Sequence, residues 1–348
     1  MEMLWFALAA LMLAGYVVLD GFDFGAGALH LSVAKQDRER RQVLSAIGPF
    51  WDGNEVWLLS AGGVLFLAFP KVLASGLSGF YLAVFLLIWS LILRGIAIEF
   101  RSHVGDRLWR AFWDGTFALA SILAPVLLGA ALGNVLRGVP LGADGWFALP
   151  LFDSFSPRGA LGLLDWYTLL CGATALAAVT HHGALFLAWK TDGPVGERSR
   201  AWAARLFPVL ALLWAAATGV TFLLAPHVPQ GLLSRPLAWA AAALLLAGLA
   251  TSCLARRRGR DLLAFLGSSA FLLGVLGATA AAVYPLWLPS TLDPAHSLDA
   301  LSSAAAPASL RAGLLWWPAG FLLALGYLAL LFRLHRGRTR ATEEPYGS

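Results

Sequence analysis

Charge is scarce in this chain: of 348 residues only 13% are Asp, Glu, Lys or Arg, against 59% hydrophobic, and the mean hydropathy is +0.72. Such a composition excludes a soluble globular surface, a disordered segment, a collagen and a coiled coil. Cysteine is nearly absent, and Cys171 and Cys253 both lie in apolar stretches, which excludes a disulfide framework. The sequence also lacks a C-x-x-C-H motif, a nucleotide-binding loop, a quinone motif and the paired histidines that several haems would need. No metal ligand set and no catalytic residue stands out, so any chemistry belongs to a partner. What is present in abundance is long apolar runs, and the chain reads as an all-α, polytopic membrane protein whose solvent is the lipid bilayer.

Runs of about 17 to 25 apolar residues, enough to cross roughly 30 Å of hydrocarbon, occur near 4–34, 49–69, 74–98, 111–136, 163–189, 203–225, 236–255, 262–286 and 312–333. These nine transmembrane helices form a single helical domain over 1–348, with two long loops at 137–162 and 287–311 and a tail at 334–348. The first span lacks a basic leader and a small-residue cleavage site, so it reads as a retained helix. The gap at Phe69-Pro70-Lys71 is the weakest division.

A net charge of +5 and a pI near 9.6 would suit nucleic acid, but the basic residues sit in short loops between spans, which excludes that partner. Nineteen of the 25 Lys and Arg fall on one side of a nine-span topology, in the groups beginning at Lys35, Arg101, Lys190, Arg256 and Arg333. The positive-inside rule then puts the amino terminus outside and the carboxyl terminus in the cytoplasm. An eight-span or ten-span reading would scatter those groups.

An ionisable side chain at mid-membrane costs about 2.5 to 3.5 kcal/mol, so each one needs a partner or a function. Asp20 and Asp23 stand three apart on one helix face, 15 and 12 residues before Lys35 and therefore near the middle of the bilayer. Gly21 and Gly25 between and beside them form a G-x-x-x-G that admits a neighbouring helix. In Gly48-Pro49-Phe50-Trp51-Asp52-Gly53-Asn54-Glu55-Val56-Trp57, Pro49 is placed to open a helix, with Asp52 and Glu55 in or near its first turn. Arg94, Glu99 and Asp114 lie towards the same side, and the whole is expected to be one buried polar set displaced to the cytoplasm. For each group the plain reading is helix-to-helix glue, capping or charge partnering. The functional reading is a proton path, with Asp20, Asp23, Asp52 and Glu55 passing protons and Arg94, Glu99, Asp114, Gly21, Gly25, Trp51, Asn54 and Trp57 supporting them. His181 and His182 point about 100° apart on a helix and read as packing or polar contacts with the second-half helices.

Asp20 to Gly25 followed by Gly48 to Leu58 resembles subunit II of the cytochrome bd quinol oxidases, including the cyanide-insensitive branch. Arg94, Phe100-Arg101-Ser102, Trp113-Asp114, Gly133 to Pro140 and Tyr284 to Pro294 add to the likeness, which is most specific over the first 140 residues. The resemblance implies a nine-helix subunit packed pseudosymmetrically against a similar subunit I. That partner would carry two haems b and one haem d, oxidise quinol at its outer face and reduce oxygen to water in the bacterial inner membrane, with protons drawn from the cytoplasm. It carries Asp20, Asp23 and Asp52 over as the acidic pathway. A structural quinone in this subunit and a small third subunit are further options the family raises. The chain departs from its relatives in a short loop between the fourth and fifth spans, in few acids after Asp165, and in an Ala-rich stretch at 301–311. Two other readings stay open: a purely structural subunit of the same complex, and a proton-coupled secondary transporter using the same acids, against which no discontinuous helix pair is evident.

Overall fold

The computed structural model describes residues 1–340, so residues 341–348 of the predicted tail lie outside the described residues. In chain order the elements are α1 (Glu2–Val33), α2 (Asp37–Ile47), α3 (Trp51–Ala68), α4 (Pro70–Gly79), α5 (Tyr81–Phe100), α6 (Arg107–Arg137), α7 (Trp166–Lys190), α8 (Gly193–Leu224), α9 (His227–Ser234), α10 (Pro236–Arg257), α11 (Asp261–Val283), an antiparallel pair β1 (Leu286–Leu288) and β2 (Leu298–Asp299), and α12 (Pro307–Leu334). Among the described residues eight helices are long and apolar enough to cross a membrane. The predicted second span, α3, is not one of these eight, because Asp52, Asn54 and Glu55 crowd its first five residues. It nevertheless runs from end to end of the bundle. Phe50 at its start stacks on Phe332 near the end of α12 (4.6 Å between rings), and Ala68 at its finish accepts a hydrogen bond from Ala305, just before α12 begins (2.9 Å).

The bundle thus has a basic end, holding α2 and the Arg-rich loops, and a loop end, holding 138–165 and 284–306. The predicted third span, 74–98, is in fact two helices: α4 stops at Gly79, where Gly76, Gly79 and two serines weaken helical continuity, and α5 starts at Tyr81. Helix α4 lies along the loop end, with the Ser75 hydroxyl donating to the Gly145 carbonyl. The division at Phe69-Pro70 is real, with Pro70 opening α4. Pro49 does not open α3; it sits in the turn before Trp51. The sixth span begins at Gly193 instead of 203, the ninth at Pro307, and the eighth stops at Val283 because Pro285 has no N–H to continue the ladder. Helix α2, read from the sequence as loop, is amphipathic and closed by a capping box in which the Glu39 carboxylate accepts from the N–H groups of Lys35 (2.6 Å) and Gln36 (3.1 Å).

Helix α1 is the axis of the bundle, packed by α3, α6 and α7. The expected close approach occurs at Gly25, where an added methyl group would lie 2.0 Å from the Val179 carbonyl oxygen of α7 and 2.7 Å from Gly183 Cα. Gly21, one turn earlier, only touches the Val179 side chain. Gly25→Leu is therefore expected to force α1 and α7 apart and to deplete the assembled protein from membranes. Immunoblotting against Gly21→Ala, which should accumulate normally, checks this; equal levels of both variants would contradict the packing argument.

Candidate functional site

Along α1, Tyr16, Asp20, Asp23, Gly27 and His30 follow at steps of four, three, four and three residues, which keeps them within about 80° of arc. All five are buried. Helices α3, α5 and α6 turn polar side chains towards this stripe, and the result is two clusters separated by about 10 Å of helical rise.

The first cluster is centred on Arg94 of α5, fully buried. Its guanidinium grips Asp20 with both forks, Nη1 to Oδ1 at 2.6 Å and Nη2 to Oδ2 at 3.0 Å, and Nη2 also donates to Glu55 Oε1 at 2.5 Å. The plane of the group lies over the Phe24 ring, 4.2 Å from its centroid. Asp23 bonds to no cation among the described residues: Asn54 Nδ2 donates to its Oδ2 at 2.7 Å and to the Leu19 carbonyl at 3.1 Å, while Asp23 Oδ1 and the Tyr16 hydroxyl bond to no described residue. Three carboxyl groups therefore gather round one guanidinium, which bonds two of them.

The second cluster, nearer the basic end, is centred on Asp114 of α6. Its carboxylate accepts from Arg101 Nε (2.6 Å) and Arg40 Nη1 (2.8 Å), and pairs with His30 Nε2 (2.6 Å). Arg101 continues to Asp37 of α2 (2.7 Å), which also meets Arg41 and Arg110. Burial pushes the Asp37 carboxyl up, but these three arginines outweigh it and hold it below the usual carboxylate range. Arg94 of α5 and Arg101, the residue that ends this helix, are seven apart, so one stretch of chain supplies a cation to each cluster.

The sequence-predicted residues thus divide. Asp20, Asp23, Asn54, Glu55 and Arg94 come together; Asp114 belongs to the other cluster; and Asp52 and Glu99 are exposed on this chain and join neither. The expectation of one continuous buried set is corrected on that point, and helical rotation explains it. Asn54 and Trp57 face α1, so Asp52, two residues before Asn54, points about 200° away, and Glu99 lies about 140° round α5 from Arg94. Trp57 packs beneath Gly15, and Trp51 lies over Gly95. His30, Ser121, Arg40, Asp37 and Arg101 escaped the sequence reading as site residues. The spacing of the α1 stripe was the available signal for His30.

His182 Nε2 lies 2.9 Å from the Val18 carbonyl and Nδ1 2.6 Å from the Ser268 hydroxyl, and His181 Nε2 meets Ser252 at 3.2 Å, as expected for contacts with the second-half helices. At the loop end two stretches singled out in the sequence meet: Gly138 (φ 95°) turns the chain so that Val139 N donates to the Pro289 carbonyl and Thr291 N to the Val139 carbonyl, both at 2.9 Å.

Residues 1–335 match the family described as cytochrome bd terminal oxidase subunit II. The chain belongs to that family. It is 36% identical over 220 residues to cytochrome bd-I ubiquinol oxidase subunit 2 of Escherichia coli K12, an alignment covering 63% of this chain and 56% of the relative. It is 35% identical over 207 residues to cytochrome bd ubiquinol oxidase subunit 2 of Bacillus subtilis, covering 60% and 59%. The chain thus spans little more than half the length of these two curated relatives. A probable cytochrome oxidase subunit 2 of Haemophilus influenzae is 29% identical over 98% of this chain and 96% of its own length. In three dimensions the chain has the fold of a chain in the bd oxidase structure from Geobacillus thermodenitrificans, with a TM-score of 0.74 at 22% identity over 96% of this chain and 98% of that one. Membership in the bd subunit II family accounts for the multi-pass helical architecture.

Proposed function

We propose that this chain is the second subunit of a quinol:oxygen oxidoreductase and that its buried acids carry protons towards a haem-bearing partner. The observation that supports this best is the imbalance at Arg94: three carboxyl groups, one cation, and an Asp23 oxygen without a donor. In this reading the basic end faces the cytoplasm of a bacterium, the amino terminus lies outside and the carboxyl terminus inside, consistent with the distribution of Lys and Arg. Protons reach Glu55, which is partly exposed, pass across Arg94 to Asp20 and Asp23, and leave sideways to subunit I. Asp52 and Glu99, exposed on the isolated chain, lie at the basic end, where Asp52 would gather protons at the mouth or meet the partner.

Two haems b and a haem d belong to subunit I in this reading, where they would pass electrons from quinol to oxygen. Here His182 has both ring nitrogens in hydrogen bonds, and His181 Nε2 meets Ser252. A structural quinone would find a cavity of about 470 Å³ between α6, α7, α8, α10 and α11. Its lining is apolar, and the hydroxyls of Thr174 and Thr221 already donate to helix carbonyls at 2.7 Å, so the space fits an isoprenoid tail better than a quinone ring. A small third subunit is compatible with this assembly.

Asp20→Asn and Asp23→Asn in the two-subunit complex test the proposal. The expected result is an unchanged haem spectrum with quinol oxidase turnover lowered on the order of tenfold or more. Loss of haem or of assembly would favour the purely structural subunit, and a chain that purifies without any haem-bearing partner would favour the transporter.

A further inference from the structure

Between the two clusters lie polar atoms that neither cluster satisfies. His30 Nδ1, Ser121 Oγ and Asp23 Oδ1 are buried and hydrogen-bond to no described residue. They are not scattered. His30 and Asp23 are seven residues apart on the α1 stripe; Asp114 and Ser121 are seven apart on α6, which runs antiparallel to α1. His30 pairs with Asp114 at one level, and at the next Ser121 fills the notch left by Gly27, where an added methyl would lie 2.0 Å from its hydroxyl oxygen. The notch is small because a side chain there would expel Ser121.

Unpaired polar atoms in a hydrocarbon-embedded bundle are costly, and aligned ones are satisfied by water. We propose that His30, Ser121 and Asp23 line a short file of bound water that joins the Asp114 cluster to the Asp20 and Asp23 cluster, with His30 as the group that loads the proton. This rests on the proton-conducting reading and deepens it by naming a second uptake route, separate from Glu55. The groups facing His30 are the Asp114 carboxylate from α6, Arg101 at the end of α5 and Arg40 from α2, whose partly exposed side chain marks where the network meets solvent. With Nε2–H donating to Asp114, the lone pair of the imidazole is on Nδ1. A proton carried in by water from solvent at the Arg40 edge adds to Nδ1, giving an imidazolium held by the Asp114 carboxylate; it leaves from the same Nδ1–H to water hydrogen-bonded to Ser121 and ends on Asp23 Oδ1. The distance of about 10 Å along the helix suits two or three waters.

His30→Gln keeps an amide N–H for Asp114 and cannot carry a proton; Ser121→Ala removes only the hydroxyl. In the intact two-subunit complex both should retain the haem spectrum. His30→Gln should lower turnover about tenfold and flatten its pH dependence, and Ser121→Ala should lower turnover by a smaller factor of about three while raising the solvent deuterium isotope effect. If Asp23→Asn stops turnover but His30→Gln leaves rate and pH profile unchanged, the relay is wrong and the general proposal survives. If neither substitution matters, both fail. Should His30→Gln lose haem, the Ser121→Ala isotope effect decides: an unaltered value overturns the relay.

Discussion

Arg94→Met is expected to leave membranes almost devoid of assembled complex. Among the described residues the guanidinium is the only cation bonded to Asp20, holding both of its oxygens, and it also holds Glu55. Removing one member of a buried ion pair costs about 3 to 5 kcal/mol, because the remaining charge keeps its desolvation penalty and loses its partner. Contact with the Phe24 face is lost as well. Such a loss compares with the whole net stability of an ordinary domain, about 5 to 15 kcal/mol. Arg94→Lys keeps the charge but not the fork, and should give intermediate amounts. The triple variant Arg94→Met with Asp20→Asn and Glu55→Gln removes the stranded charges, so it should recover assembly while turnover stays low. Haem absorbance per milligram of membrane protein measures each. Normal amounts of complex with Arg94→Met alone would contradict a structural ion pair at this position.

How much of this was legible in the sequence depends on which periodicity carried the signal. The long spans were plain because hydrophobic runs and Lys/Arg placement are properties of one strand of text, and the Asp20/Asp23 pair with Gly25 followed from helical spacing alone. Partners were less plain. That Arg94 would clasp Asp20 and not Glu99 is a matter of which faces of α1, α3 and α5 meet, and those rotations depend on packing of Gly25 against α7 and of Gly15 against Trp57. Asp52 misled for the same reason: it is in the expected first turn of α3, on the face opposite Asn54. Helix α2 was hidden because its polar face reads as a charged loop, while its buried face, Val43, Leu44, Ala46 and Ile47, is too short for a span.

The second cluster shows what such a reading misses and why. Asp114 was expected in one buried set with the other acids; only when α2 folds back does Arg40 reach it, and only the antiparallel register of α1 and α6 sets His30 beside it. Helix α5 with its capping residue, Arg94 and Arg101 being seven apart, and helix α1, with Asp20 and His30 ten apart, then tie the two clusters into one frame. A substitution in either cluster is transmitted through helices, so the conservative Asn and Gln variants discriminate conduction from packing better than Ala does.

At the loop end Asp165→Ala should be nearly as damaging as loss of Arg94, although no proton passes there. The Asp165 carboxylate has two tasks. One oxygen caps α7, accepting from Tyr167 N at 2.9 Å and Thr168 N at 3.1 Å; the other accepts from the buried Arg137. Arg137 in turn donates to Asn134 Oδ1 at 2.6 Å and to the Gly162 carbonyl at 2.8 Å, so the end of α6, the loop and the start of α7 are fastened at one point. Losing the cap costs about 1 kcal/mol, and stranding a buried guanidinium about 3 to 5. Asp165→Asn keeps an acceptor for the cap and loses the charge, so it should fall between wild type and Asp165→Ala. Pairing Arg137→Met with Asp165→Leu removes both charges, and its destabilisation should be well below the sum of the singles. Thermal unfolding of the detergent-solubilised complex, followed by haem release, ranks the variants. If Asp165→Asn and Asp165→Ala unfold at one temperature the capping role is wrong, and if the double variant equals the sum, the two charges do not act as a pair.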